Sequence, residues 1–403
     1  MKKRSRAVLL SCLLAGAVGA RAGDRLELEV ALDLRTVYSD ADQSFLRGGI
    51  GKLRFDAADK GLRLGRAMVA ADLRLTDIAK IHAVADAYGD TDGNPAGLSE
   101  LYLDVKPFPT NPLRWRARVG AFYPPASLEN RGVGWTSVYT LTPSAANTWL
   151  GEEFRIVGAE LEARWLGASS GYVGDLAAVG GVYAWNDPAG ALIADRGFAL
   201  SDRPVTLISG LGRSSIAFFR EIDRKPGYYG GLSWRHGERL ELRALRYDNR
   251  GDPGVFNSGG EGAWLTRFTS LGARLEATRH WSFVAQYLDG DTAIGADSSG
   301  DDQFLMTMHA AFVLASFEWG AGRLSGRYDH FGTHQSSGFY GPAANDNGHA
   351  WTLGWSRSLG EHWRLAAEWL QVTSAFPPRL AVPEAAGRVD SQFQLSLRYA
   401  ARL

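Results

Sequence analysis

The sequence predicts an all-β fold, a transmembrane antiparallel up-and-down β-barrel of about 16 strands. Three observations point there. Apolar and polar residues alternate with period two in run after run beyond residue 22. The connections between these runs are by turns short and long. And 13 Trp, 14 Tyr and 18 Phe sit in a chain that is 22% charged, with a mean hydropathy of −0.18. That polarity excludes a bundle of membrane helices, and 45% hydrophobic content excludes wholesale disorder. The 44 basic residues balance 44 acidic ones, without the basic excess usual in a nucleic-acid binder.

The chain opens with a leader. Lys2, Lys3, Arg4 and Arg6 precede an apolar run over 7–19, and Ala20-Arg21-Ala22 fits a small-x-small cleavage site. Residues 1–22 are therefore expected to be a cleaved secretory signal peptide, with Gly23 first in the mature chain. The run is too short to span a bilayer, which takes ~20 residues. Cys12, the one cysteine, goes with the leader, leaving no disulfide, thiolate metal site or cysteine nucleophile.

Sixteen alternating runs follow, over 25–35, 62–75, 79–89, 97–107, 113–123, 154–166, 172–186, 228–236, 239–249, 263–277, 281–289, 305–319, 322–330, 349–358, 362–373 and 390–403. Leu113, Trp115, Ala117 and Val119 alternate with Arg114, Arg116 and Arg118, and Trp363, Leu365, Ala367 and Trp369 with Arg364, Ala366 and Glu368. A strand sends one such set to each face of a sheet, whereas a helix scatters both. The runs fill about half of the chain after the leader, against ~20–25% strand in ordinary globular proteins.

The connections justify that excess. Those at 76–78, 108–112, 167–171, 237–238, 278–280, 320–321 and 359–361 are short. Those at 36–61, 90–96, 124–153, 187–227, 250–262, 290–304, 331–348 and 374–389 are longer, and the two kinds strictly alternate. Bacterial outer-membrane barrels combine short periplasmic turns, long outer loops and an even strand number. A bilayer offers the backbone no hydrogen-bond partner, so a spanning sheet must close on itself. Aromatic residues near strand ends, among them Tyr123, Trp165, Tyr183, Trp281, Tyr287 and Trp319, then form interfacial girdles. A soluble sandwich or propeller also uses short strands, but no blade repeat of ~40 residues is present. An extra hairpin in 187–227 would raise the count to eighteen.

Two segments carry a family resemblance. Phe393, Leu395, Leu397, Tyr399 and Leu403 share one face of the last run, like the C-terminal insertion signal of outer-membrane barrels, although that signal usually ends in an aromatic residue. The segment Gly120-Ala121-Phe122-Tyr123-Pro124-Pro125-Ala126-Ser127-Leu128-Glu129-Asn130 resembles the strand-to-loop corner of the phosphate-selective porin O/P-like family, a Gly-x-Phe strand end running into Pro-x-Ser-Leu-Glu. The match covers about residues 60–165. It implies a bacterial outer-membrane barrel of sixteen strands, usually a homotrimer, that passes small hydrophilic or anionic solutes passively. It also implies that loop 124–153 folds inward as a constriction, with Glu129, Arg131, Glu152, Glu153 and Arg155 in or beside it and Trp135, Tyr139 and Trp149 packing it to the wall. Family members that select phosphate use lysines. Only Lys52, Lys60, Lys80, Lys106 and Lys225 follow the leader here, so general or weakly anion-favouring diffusion is expected instead.

With apolar faces toward lipid, Arg114, Arg116 and Arg118 stack inward about 6.5–7 Å apart. They form either a pore-lining basic ladder that attracts anions or wall pairs with acids such as Glu160, Glu162 and Glu100. Other features have plain readings. Gly167-Ala168-Ser169-Ser170-Gly171 matches G-x-S-x-G but fills a turn between strands rather than a strand-to-helix elbow. Asp90-Thr91-Asp92-Gly93-Asn94 lacks the twelfth-position acid of a calcium loop. His330 and His334 are four apart at a strand end, not on a helix. No metal or cofactor is expected. Asp289, Asp291, Asp297, Asp301 and Asp302 suit a solvated outer loop, with bridging to surface lipid or lipopolysaccharide through divalent cations as the lesser alternative. Two competing readings are a barrel lipid hydrolase using His309 or His330 with a nearby serine, and a non-conducting scaffold. If the ladder governs permeation, Arg116→Glu shifts selectivity toward cations; an unchanged reversal potential under a KCl gradient contradicts that role.

Overall fold

The computed structural model describes residues 25–90, 95–207, 216, 218–295, 304–337, 345–376 and 389–403. The leader expected over 1–22 and Asp297, Asp301 and Asp302 lie outside these residues. The strands are β1 (Leu26–Ser39), β2 (Gly61–Arg74), β3 (Ala79–Ala87), β4 (Ala96–Val105), β5 (Leu113–Phe122), β6 (Ile156–Trp165), β7 (Asp175–Ala184) and β8 (Gly227–His236). They continue with β9 (Leu240–Asp248), β10 (Leu265–Glu276), β11 (Trp281–Ile294), β12 (Phe304–Trp319), β13 (Gly322–Ser337), β14 (Asp346–Leu359), β15 (Trp363–Ser374) and β16 (Val389–Arg402). Each pairs antiparallel with its neighbours in sequence, and β1 pairs with β16 from Glu29↔Arg402 to Ser39↔Gln392, closing the barrel. Every expected strand is present. β7 pairs directly with β8, so the ring has sixteen strands rather than eighteen. The connection between them carries a short helix, α2 (Ala191–Arg196), and the inner loop between β5 and β6 carries α1 (Ala145–Glu153).

The outer face is apolar. Trp115, Val119, Leu161, Val182, Leu232, Val313, Leu353 and Leu395 all point outward and are exposed. Trp115, Trp281, Trp319 and Trp363 sit toward the rim of short turns. Tyr38, Tyr228, Tyr287, Trp351 and Phe393 sit toward the rim of long loops. These are the two interfacial levels of a spanning barrel.

The strands differ from expectation at the outer rim. β11 runs to Ile294, β13 to Ser337, and β14 starts at Asp346. Polar residues such as Asp289 and Asp291 end the apolar alternation there, yet the ladder continues beyond the membrane. Alternation also fails on β12, where the inward Phe304, Met306, Met308, Ala310, Phe312 and Leu314 are buried and apolar. The physical reason is that α1 packs against this wall from inside. Trp149 of α1 and Phe154 beside it pack edge-on against one another and against the stacked pair Tyr247 and Phe268, with ring centroids 4.3 to 5.7 Å apart. Part of the interior of the outer half, against β9 to β12, is thus an apolar cluster.

Gly120 sets the corner where β5 leaves the wall. Its φ is +133°, and a Cβ there would lie 2.3 Å from the Leu101 carbonyl oxygen and 2.8 Å from the Tyr102 Cα. Gly120→Ala is expected to cost about 1–3 kcal/mol through backbone strain, read as a lower urea midpoint of the refolded barrel. An unaltered midpoint would mean that the corner relaxes freely.

Candidate permeation site

The loop from Tyr123 to Arg155 leaves the wall at Pro124 and Pro125, which lack the N–H groups needed to continue the ladder. Ser127 Oγ then accepts from the Glu129 and Asn130 N–H groups and turns the chain inward. Side chains from around the barrel hold it across the interior. Arg243 on β9 donates to the Pro125 and Ser127 carbonyls (3.0 and 3.1 Å), and Gln286 on β11 to that of Ala126 (3.0 Å). Arg66 on β2 donates to the Gly134 carbonyl at 2.6 Å. Glu368 on β15 accepts from the Leu141 and Thr142 N–H groups (2.6 and 3.0 Å).

Arg327 on β13 is the main anchor. Its guanidinium donates to Glu129 Oε1 (2.7 Å), to Asp329 (2.7 Å), and to the Thr142 and Pro143 carbonyls. Glu129 also accepts from the Ser144 N–H and the Asn147 side chain, while Asp329 accepts from the Ala145 N–H (3.1 Å). Ser144 caps α1, and two carboxylates meet the positive end of that helix, where negative charge is favoured. Glu129 thus lies fully buried in an ion pair.

The other loop residues expected at a constriction divide. Glu152 pairs with Arg196 of α2. Glu153 accepts from Trp149 Nε1 and from the Gly190 and Leu192 N–H groups at 3.1 and 2.9 Å. Burial pushes both carboxyls up to about 7, against Arg196 at Glu152 and against the Leu192 and Trp149 donors at Glu153. Arg155 is buried over the Phe219 ring (4.5 Å) and donates to the Tyr123 hydroxyl; its Nε and Nη2 have no partner among the described residues. Arg131 is exposed and faces a polar cavity by the short turns, with Arg235, Arg239, Arg274 and Arg279.

The β5 arginines also divide. Arg116 makes a two-point contact with Asp104 (2.7 and 3.2 Å), and Arg118 pairs with Glu160 (2.7 Å) over the Phe122 ring. Arg114 faces Arg164 across the strands and contacts the Asn111 carbonyl. Glu162 is taken by Arg164. Among the described residues, the inward arginines in excess over carboxylates lie elsewhere. Glu241 is shared by Arg235 and Arg243, at 2.9 and 2.6 Å, and lies 3.6 Å from Arg274, which pairs more closely with Glu276 at 2.5 Å. Arg364 and Arg398 are direct cross-strand partners, and Arg398 has Asp33 as its cross-strand partner on β1, although neither arginine forms an ion pair among the described residues. With Arg35, Arg66, Asp33 and Asp202 they line a cavity beneath the loop stretch 135–143. Both sit in the polar set of strongly alternating runs, but their pairing depends on the β15–β16 register.

Two further connections fold in above this loop. Asp202 accepts from Arg35 (2.6 Å) and Arg54 (2.8 Å), Asp90 from Arg54 and Arg203, and Lys52 pairs with Asp346 at 2.8 Å. Burial raises Asp202, yet these guanidiniums hold its carboxyl well below the usual carboxylate range. In the same outer region Asp187, Glu221 and Asp223 bring their oxygens within 4.8 Å of one another. Asp187 already accepts from the Ile222 and Asp223 N–H groups, and burial pushes it up to about 6.

A closed sixteen-stranded sheet, apolar outside and crossed by a charged loop inside, defines the class: a transmembrane β-barrel with a porin-like interior. Similar solved structures include an anion-selective porin from Comamonas acidovorans (13% identity, 93% of this chain and 99% of that one, TM-score 0.54). OmpF of Salmonella typhi, in complex with daunomycin, is similar at 10% identity, over 94% and 98% of the chains, with TM-score 0.54. In-vitro folded OmpT, an outer membrane protein of Vibrio cholerae, is similar at 10% identity over 95% and 100%, with TM-score 0.52. These likenesses establish the fold. No family model and no curated protein matches the sequence.

The α1–α2 contact is expected to respond to pH. Glu152 and Glu153 have folded values above the unfolded 4.5, so their contribution is full below 4.5 and is lost as pH rises through about 7. Hydrogen exchange, corrected for intrinsic rates, should show more protection at 189–197 at pH 5 than at pH 8. Glu153→Gln should flatten that difference, and equal protection of the parent protein at both values would contradict the reading.

Proposed function

We propose that the protein is a bacterial outer-membrane porin through which small hydrophilic solutes diffuse passively, with a preference for anions. The observation that carries this reading is the surplus of inward guanidiniums. Arg364 and Arg398 face one another with neither in an ion pair among the described residues, the acid across from Arg398 being Asp33 on β1, and Arg235 and Arg243 share Glu241, which Arg274 also approaches. Like charges directly opposite on neighbouring strands are destabilising. Mobile anions relieve that repulsion, so the lumen concentrates them and repels cations. The loop from Tyr123 to Arg155 acts as the constriction. Glu129, Glu152 and Glu153 serve as its fastenings, and Arg131 is its charged residue facing the solute.

The remaining parts of the reading follow from the same class. Residues 1–22 direct export and are removed. The barrel assembles as a homotrimer in outer-membrane lipid beside lipopolysaccharide, and it carries no catalytic group or cofactor. The corner from Gly120 to Asn130 supports kinship with the phosphate-selective porin O/P-like family. Arginine in place of lysine favours general anion passage over phosphate selection, because a guanidinium is a diffuse fork and an ammonium a compact point charge.

Refolded protein in a planar bilayer should give discrete conductance steps, with a reversal potential of anion-selective sign under a KCl gradient. Arg364→Gln with Arg398→Gln should lower the anion-over-cation permeability ratio by roughly twofold or more, as expected when lumenal charge sets selectivity. No steps from a folded barrel would overturn the porin reading; steps with an unaltered ratio would overturn the role of this pair.

A further inference from the structure

Three of the eight histidines lie on consecutive strands at one level of the outer face: His309 on β12, His330 on β13 and His349 on β14. Each is exposed, while the following Ala310, Phe331 and Ala350 are buried, so the imidazoles point away from the interior. They sit two residues beyond Ala311, Tyr328 and Trp351 toward the rim of long loops. That is one repeat outside the aromatic level, beyond the hydrocarbon and open to the external medium.

The register builds a donor set. His330 pairs directly with His349, and Asp289 on β11 pairs directly with His309. The strand partner of His309 is Gly332. A Cβ at Gly332 would fall 2.7 Å from His309 Cε1 and 3.0 Å from its Nε2, so the imidazole lies across β13 in space that only glycine leaves open. That placement brings the His309 and His330 ring centroids to 5.5 Å. Two imidazoles bound through nitrogen to one tetrahedral ion, at about 2.0–2.1 Å each, have centroids roughly 5 Å apart. Neither histidine has a hydrogen bond to a serine hydroxyl among the described residues, so the arrangement is unlike a hydrolase pair.

We propose that His309 and His330 form the core of a transition-metal site on the outer face of the barrel, with His349 as third ligand. The ion belongs to the class that imidazole suits, Zn²⁺, Cu²⁺ or Ni²⁺. Directly opposed positions on neighbouring strands have Cβ atoms about 4.5–5.5 Å apart, which puts His349 within rotamer reach of an ion on His330. Asp289 lies on the far side of His309, and its carboxylate accepts from the Tyr287 hydroxyl at 3.3 Å.

The test is calorimetric titration of the tag-free, refolded full chain with ZnCl₂ at pH 7.5. One equivalent per chain is expected. Affinity should fall at least tenfold in His309→Asn/His330→Asn and by a smaller factor in His349→Asn. Gly332→Ala, which keeps every ligand but displaces the His309 ring, should also weaken binding. With Cu²⁺, the parent protein should show nitrogen hyperfine lines that the double variant lacks. Heat-modifiable gel migration verifies folding, and single His309→Gln and His330→Gln variants repeat the comparison if the double variant folds poorly. Undiminished affinity in the variants would place binding elsewhere, as at Asp187, Glu221 and Asp223, and overturn the proposal. So would the absence of saturable binding.

Discussion

The structure depends on one constraint: a backbone crossing hydrocarbon must satisfy its own hydrogen bonds. An open sheet would leave two unpaired edges in lipid, so β1 must find β16. Closure then separates two faces with opposite requirements. The outer one meets lipid and is apolar almost throughout. The inner one encloses a space too wide for wall side chains alone to fill, and the long connections fold into it.

Inside, charge does the work that apolar packing does in a soluble core. Arg327 shows how. A guanidinium with five donors can serve several acceptors at once. Here it gathers a carboxylate on its own strand, one from the loop and two loop carbonyls. Burying such ions is costly unless the geometry is complete, and that completeness makes the loop position specific. The same reasoning separates fastening charges from available ones. Arg116 and Arg118 are committed to Asp104 and Glu160, whereas Arg364 and Arg398, with Asp33 across from Arg398, form no ion pair among the described residues.

The strands were largely legible because a spanning strand carries its own signal. Period-two alternation over about ten residues is forced by lipid on one side and water or polar groups on the other. Where that contrast disappears, legibility fails. The outer ends of β11, β13 and β14 have no lipid beside them, and β12 is apolar on both faces because α1 covers it. The site was legible only in kind. Loop 124–153 stands out by length, by its proline corner and by its resemblance. Yet Glu129, Glu152 and Glu153 prove to be internal ties, and the half-buried lumenal arginines are spread over β8, β9, β10, β15 and β16.

By itself, the sequence determined the strand number, the alternation of short turns and long loops, and which face of each strand meets lipid. These are local properties, set by one strand and its solvent. Tertiary structure alone decided which charge meets which. Register across the sheet sets Arg364 against Arg398 and His330 against His349, and loop packing joins Glu129 to Arg327 across 198 positions of sequence. Electrostatic pairing depends on a few ångströms in space, and distance along the chain carries no record of it.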